Sequence, residues 1–144
     1  MITYQFLKQV SKSDVSDFAL LLEQLTEPEY ILTQRMVQET ICGGDVLVAR
    51  DMDSDSKIIG TVSLFKIPTL LGVDGLIENI VVDKKYRRRG IGQTLMEKMF
   101  EKARGYGWHR VEWTSGDYRT EALSFYRKIP KIVYRPQSRY VKVL

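Results

Sequence analysis

A predicted buried strand, a basic glycine turn and an amphipathic helix follow one another directly, and this succession constrains the chain most. Residues 76–82 read LIENIVV, which is rich in β-branched residues and apolar on both faces apart from Glu78 and Asn79. The turn reads KKYRRRGIG over 84–92, and apolar positions at helical spacing predict a helix over 90–106. Such a strand–turn–helix unit is typical of an α/β domain.

The turn has the composition of a pyrophosphate site. Gly90 and Gly92 stand where the chain turns sharply, and without a Cβ they let a ligand approach the backbone. The helix that follows begins with unpaired N–H groups and the positive end of its dipole. Arg87, Arg88 and Arg89 add positive charge at the same place. The sequence contains neither a P-loop motif nor a complete GxGxxG fingerprint, so those two nucleotide sites are disfavoured.

Two segments match the signatures of a known family. Residues 87–92, RRRGIG, fit the pattern Gln/Arg-x-x-Gly-x-Gly/Ala at every specified place, and the preceding IVVD at 80–83 also matches. Residues 121–126, EALSFY, are similar to an Ala-x-x-Phe-Tyr helix. With these segments the chain resembles the GNAT superfamily of acyl-CoA-dependent N-acetyltransferases over about residues 58–128. The resemblance implies a mixed α/β fold, with a mainly antiparallel sheet, a splayed central strand pair and flanking helices.

The resemblance also implies that acetyl-CoA is the acetyl donor. Backbone N–H groups of the glycine turn would hold the pyrophosphate, and the pantetheine arm would pair with the strand before it. An N–H near Val82 would stabilise the oxyanion that forms on the acetyl carbonyl. No cluster of His, Cys and Asp has metal-ligand spacing, so we expect no metal. The implied cofactor-binding residues are Ile80, Val81, Val82, Arg87, Arg88, Arg89, Gly90, Ile91, Gly92, Gln93 and Arg119.

Glu78 and Tyr126 are the candidates for proton transfer. Tyr126 matches the family tyrosine that protonates the departing thiolate, and a phenol with a pKa near 10 keeps its proton at neutral pH. Glu78 is expected to act as general base, directly or through water, because burial would raise its pKa and the attacking amine must lose a proton. The structural alternatives are an ion pair between Glu78 and a nearby Arg or Lys, and a core aromatic role for Tyr126 beside Phe125.

Two positions depart from the family pattern. The family often has Asn three residues before the helix alanine, where this chain has Arg119, which could replace that contact or reach a phosphate. After the Phe-Tyr pair the family usually continues to Gly-Phe, whereas this chain has Pro130 and Lys131. Proline has no amide hydrogen and a restricted φ, so the exit from the helix is expected to differ.

Charge and length restrict the function further. Residues 1–83 carry 6 Lys and Arg against 13 Asp and Glu, whereas residues 84–144 carry 16 against 5. A basic second half indicates one anionic ligand, and the acidic first half could face a cationic substrate. The 144 residues predict a single N-acetyltransferase domain over 1–144. The single cysteine, Cys42, and the lack of an apolar run of about 18 residues favour a cytoplasmic protein that does not interact with membranes.

We therefore expect an N-acetyltransferase that acts on a primary amine of a small molecule. A protein or peptide amine as acceptor is one alternative, and a catalytically inactive acetyl-CoA sensor is another. Nucleic-acid binding is disfavoured, because the basic residues are not interleaved with aromatic residues as in known binding modules. The C-terminal strands predicted within 132–144 commonly contribute to dimers in this family, which makes a homodimer an expectation.

The rest of the chain is predicted from hydrophobic periodicity and turn residues. We expect strands at 2–10, 46–50, 57–65 and 108–114, helices at 11–26, 32–41 and 120–128, a loop at 67–75, and a final hairpin of 132–134 with 140–143.

Overall fold

The computed structural model describes residues 1–115 and 119–144, and it confirms a mixed α/β fold. The strands are β1 Ile2–Phe6, β2 Asp45–Asp51, β3 Lys57–Thr69, β4 Gly72–Val82 and β5 Val111–Glu112. The helices are α1 Lys12–Glu23, α2 Gln34–Gly43, α3 Ile91–Gly105 and α4 Thr120–Arg127, and a short 3-10 helix covers Lys84–Tyr86. The chain divides into two compact units, Met1–Trp113 and Thr114–Leu144, and the sheet belongs to the first.

The sheet is antiparallel except at one edge. Its strand order is β1-β2-β3-β4-β5, and the first four strands pair antiparallel with their neighbours. β5 runs parallel to β4 and pairs only through Gly75 with Val111 and Leu76 with Glu112. β4 continues for six residues beyond its last pairing with β5, and the predicted splay of the central strand pair stays a prediction.

Each face of the sheet is covered by helices. α1 begins with a capping box, in which Ser11 Oγ accepts from the N–H of Asp14 at 3.1 Å and Asp14 Oδ2 accepts from the N–H of Ser11 at 3.0 Å. α1 and α2 bury Phe18, Leu21, Val37 and Ile41 against Val46, Val48, Ile58 and Val81 of the strands. α3 covers the opposite face, where Leu95 packs beside Gly60.

The predicted loop at 67–75 is wrong. β3 and β4 pair through Ile67 with Asp74, Pro68 with Val73 and Thr69 with Gly72, which leaves only Leu70 and Leu71 in the turn. Thr69 Oγ1 stabilises this tip by accepting from the N–H of Leu71 at 3.1 Å and donating to the carbonyl of Gly72 at 3.2 Å. Pro68 and the glycines suggested a loop, but the ladder extends through them because it continues an already paired hairpin.

Several other bounds also differ from the prediction, among them the first helix, which ends at Glu23 rather than at residue 26. The first strand ends at Phe6 rather than at residue 10, and the strand predicted over 108–114 contains only Val111–Glu112. The predicted final hairpin of 132–134 with 140–143 does not form. These residues make no strand pairing, and most of their side chains are exposed. Residues 116–118 lie outside the described part of the chain. In that part, no helix is both long and apolar enough to cross a membrane.

Candidate active site

A β-bulge in β4 sets the direction of the Glu78 side chain. Thr61 and Ser63 of β3 pair with Val81 and Glu78, so three steps along β4 oppose two steps along β3. The extra residue is accommodated at Asn79, whose φ of 54° is left-handed. Asn tolerates this conformation better than most side chains, and bulges of this kind redirect neighbouring side chains.

Glu78 lies on the sheet face that carries α1 and α2. Directly paired residues of neighbouring strands have their side chains on the same face, and Ser63 pairs with both Glu78 and the buried Val46 of the α1–α2 core. The Glu78 side chain is partly exposed, so the strand is less buried at this position than the sequence predicted. Within residues 1–115 and 119–144 its carboxylate has neither an ion pair nor a hydrogen bond, which argues against the predicted structural ion pair.

The end of β4 presents backbone groups away from β3. The N–H of Asp83 donates to the carbonyl of Ile59 at 2.8 Å, and Val82 is paired with Gly60. Because hydrogen-bonding direction alternates along an antiparallel strand, the N–H and carbonyl of Val82 point away from β3, towards the side of β4 on which β5 pairs with Gly75 and Leu76. The side chains of Val81 and Val82 lie on opposite faces of the sheet, Val81 in the α1–α2 core and Val82 opposite Gly60.

At the glycine turn, the first N–H groups of α3 are left without acceptors in the described portion of the chain, which suits the binding of an anion. Gly90 is the N-cap of α3, with a left-handed φ of 75° and no atom within 4 Å of the position that a Cβ would take. The first intrahelical bond runs from the N–H of Thr94 to the carbonyl of Gly90 at 3.0 Å. The backbone N–H groups of Ile91, Gly92 and Gln93 have no acceptor in the part of the chain that is described, and the first turn contains no acidic residue. These groups fit a pyrophosphate.

The side chains of Arg87 and Arg89 form hydrogen bonds with nearby backbone carbonyls. Arg87 Nε donates to the carbonyl of Val82 at 3.0 Å, and Arg89 Nη2 donates to the carbonyl of Lys85 at 3.2 Å. Gln93 Nε2 donates along the helix to Glu97 at 2.8 Å. Arg88 has a left-handed φ of 60°, an uncommon conformation for a long side chain and a sign of a functional constraint.

Arg119 and Tyr126 belong to the second unit. Arg119 is the N-cap of α4 and makes no side-chain capping bond there. Tyr126 lies in the last turn, with its ring centroid 5.5 Å from that of Phe125. Burial raises the pKa of the Tyr126 phenol, and the charge of Arg119 opposes this only in part. The phenol therefore holds its proton at neutral pH, as a general acid must.

The comparison with known families agrees with this geometry. A model described as the Acetyltransferase (GNAT) family matches residues 15–129, which is most of the chain. The chain belongs to the GNAT acetyltransferase family. The match begins in α1 and ends after α4. It therefore includes most of the first two helices, in which no family motif was recognised from the sequence. Members of this family use acetyl-CoA as the acetyl donor, and the open N–H groups at the start of α3 fit its diphosphate.

Individual relatives support the same membership. An L-ornithine N5-acetyltransferase of Arabidopsis thaliana is 32% identical over 87 residues, which cover 59% of this GNAT chain and 38% of that relative. The match thus spans well under two thirds of that relative's length. An acetyltransferase of Trypanosoma brucei has 26% identity and a TM-score of 0.78, with 99% of this chain and 100% of that chain covered. A glucosamine-6-phosphate N-acetyltransferase of Arabidopsis thaliana, with 21% identity and a TM-score of 0.73 over 99% of each chain, shares the fold.

The first unit thus unites most of the predicted site, from Glu78 on β4 to Gln93 on α3. The bulge at Asn79 and the hydrogen bond of Tyr86 were not predicted from the sequence. An Asn beside a carboxylate within an apolar strand is a usable signal for a bulge. Tyr86 had no local signal, because its hydrogen-bond partner, Asp51, is 35 positions away.

Proposed function

We propose that the chain, as one domain over 1–144, transfers the acetyl group of acetyl-CoA to a primary amine of a small molecule. The observation that carries the proposal is the start of α3, where three backbone N–H groups have no acceptor among the described residues and follow the end of β4 after a short turn. This arrangement suits a diphosphate at the helix and an extended thioester arm along the strand. The family match extends across both compact units, which supports a single domain.

Glu78 and Tyr126 divide the proton transfers in this proposal. An amine is largely protonated at neutral pH, so Glu78 accepts a proton, directly or through water, before the nitrogen attacks the acetyl carbonyl. The C–N bond then forms and the C–S bond breaks, while the N–H of Val82 stabilises the oxygen of the carbonyl. Tyr126 gives its proton to the departing thiolate.

A small-molecule acceptor is favoured over a protein or peptide amine. The L-ornithine relative acts, by its name, on a small diamino acid, and it is 32% identical to this chain over 87 residues. The carboxylate of Glu78 is partly exposed and has no ion pair in the described ranges, which suits an incoming cation. The same carboxylate makes the inactive-sensor alternative less attractive, because a sensor needs no base.

Calorimetric titration with acetyl-CoA, followed by a thiol-release screen over amino acids, polyamines, amino sugars and peptides, tests the proposal. We expect turnover with at least one small amine. Glu78→Gln should lower kcat by about 10²-fold or more and leave the Kd for acetyl-CoA within about twofold. Glu101→Gln removes an exposed carboxylate from α3 and should leave both constants unchanged. Binding without turnover across the whole panel would favour the sensor, and no binding would refute the proposal.

We also infer that the C-terminal segment 132–144 takes part in a homodimer. Its apolar side chains are largely uncovered: Val133 is 71% exposed, Tyr134 70%, Tyr140 92% and Val141 76%. Exposed apolar side chains at this density are typical of interaction sites. Sedimentation equilibrium should show a dimer that is lost when the chain is truncated after residue 131, whereas a wild-type monomer at high concentration would contradict the inference.

A further inference from the structure

We propose that Tyr86 is a positioning residue that holds the pyrophosphate turn in its binding conformation. The inference rests on the proposed function, because it concerns the same turn, and it adds a residue that no motif contains. Tyr86 is the last residue of the 3-10 helix Lys84–Tyr86 and immediately precedes Arg87. Its hydroxyl contacts Asp51, and its ring contacts Arg89.

The hydroxyl of Tyr86 connects the turn to the end of β2. It donates to Asp51 Oδ2 at 2.8 Å, and Asp51 itself is buried, with 9% exposure. Two further hydrogen bonds hold the carboxylate, because the N–H of Asp53 donates to Oδ1 at 3.0 Å and Ser54 Oγ donates to Oδ2 at 3.0 Å. The hydroxyl of Tyr86 therefore bonds to a carboxylate that is fixed at the end of β2.

The ring of Tyr86 contacts Arg89, which precedes Gly90 in the turn. The guanidinium carbon of Arg89 lies 5.1 Å from the ring centroid, within the range of a cation–π contact. Arg89 also donates to the carbonyl of Lys85, so the ring, the guanidinium and the backbone form a closed loop of contacts. Gly90 follows Arg89 directly and is the left-handed N-cap of α3. We therefore expect the conformation of Tyr86 to influence where the first N–H groups of α3 point.

Without the contacts of Tyr86, the turn would be in its binding conformation in only a fraction of the molecules. The apparent Kd of a ligand rises by the inverse of the fraction of molecules in the binding conformation. Once acetyl-CoA is bound, the turn is in that conformation whatever residue stands at 86, so kcat at saturation is unchanged. The signature of positioning is therefore a raised Kd and a raised KM for acetyl-CoA, with kcat and the KM of the amine unaltered. Substitution of a residue that only supports the fold would lower the melting temperature, but it would not raise the Kd and KM for acetyl-CoA selectively.

Two substitutions separate the hydroxyl from the ring. Tyr86→Phe removes the bond to Asp51 and keeps the surface under Arg89, and Tyr86→Leu removes both. Tyr106→Phe is a matched control, because Tyr106 also donates to a carboxylate, Asp45 Oδ2, at 2.8 Å, but at the far end of α3. The probe is coenzyme A, with Kd measured by calorimetry. Kinetic constants are measured with acetyl-CoA and the best amine.

We expect Tyr86→Phe to raise the Kd for coenzyme A about fivefold and Tyr86→Leu about twentyfold, with kcat within about twofold of wild type. Tyr106→Phe should leave the Kd unchanged, even where its melting temperature falls as far. Equal Kd values for Tyr86→Phe, Tyr86→Leu and wild type would overturn the role of Tyr86 and leave the acetyltransferase proposal standing. A wild-type protein that binds no coenzyme A would overturn both.

Discussion

Gly90 offers a direct test of whether the phosphate turn is preformed. Its φ is 75°, and an added Cβ would meet no atom within 4 Å, so Gly90→Ala introduces backbone strain without a steric clash. An L-residue in the left-handed region costs about 1–2 kcal/mol, and the lower entropy of the unfolded alanine chain offsets about 0.4–1 kcal/mol of it. The net loss of unfolding free energy should be about 1 kcal/mol, which lowers the Tm by about 4 °C.

The Kd for coenzyme A should also rise in the same variant, because Gly90 is one of the two glycines whose missing Cβ lets the ligand approach the backbone. Two bonds to the carbonyl of Gly90, from the N–H of Thr94 at 3.0 Å and from its Oγ1 at 3.1 Å, keep the turn from relaxing. The assays are urea unfolding and calorimetric titration.

Gly105→Ala provides the control for this experiment. Gly105 is the last residue of α3 and also has open space around its Cβ position, but its φ is not left-handed. Alanine favours the helix there, so stability should rise, by up to about 1 kcal/mol. If Gly90→Ala were as stable as wild type, the turn would not be preformed in this conformation.

Two further predictions concern protons. Tyr126→Phe should slow thiol release by about 10²-fold or more at an unchanged Kd for acetyl-CoA. Because burial raises the pKa of the Tyr126 phenol, wild-type kcat should lose no activity to its ionisation below about pH 10, and an alkaline limb near neutrality that disappears in Tyr126→Phe would contradict this. Asp14→Asn should cost about 2–4 kcal/mol at pH 7, because it breaks a nearly buried ion pair with Arg50 at 2.8 Å and weakens the α1 cap. Burial opposes ionisation of Asp14, but hydrogen bonds from Arg50 and Ser11 outweigh it and lower the pKa, so this stabilisation is complete above the unfolded pKa of about 4 and is lost as the pH falls through the folded pKa. In urea unfolding the gap to wild type should therefore shrink at low pH, and a constant gap would refute the assignment.

Local chemistry was readable from the sequence alone. Ser11 is the first residue of the helix predicted over 11–26, and it accepts the bond of an N-cap in the structure. The RRRGIG turn predicted the start of α3 to within one residue, because glycine backbone freedom and unpaired N–H groups depend on neighbours in the chain. The family resemblance rested on this segment together with IVVD at 80–83 and EALSFY at 121–126, and membership is confirmed over residues 15–129.

Features that depend on distant partners could not be read in this way. Pro68 and Gly72 look like loop residues, yet the β3 ladder carries them into a hairpin. The C-terminal apolar residues have strand periodicity, but a strand forms only where another strand pairs with it.

The sequence by itself determined the glycine turn and the unpaired N–H groups at the start of α3, because these features belong to a few consecutive backbone units. Tertiary structure alone decided the face on which Glu78 lies, since a single left-handed residue, Asn79, shifts the register against β3. It also decided the bracing of the turn, since Asp51 and Tyr86 meet only when β2 and the end of β4 share one sheet. Short-range geometry is encoded along the chain, whereas cross-strand register arises from the packing of the whole sheet.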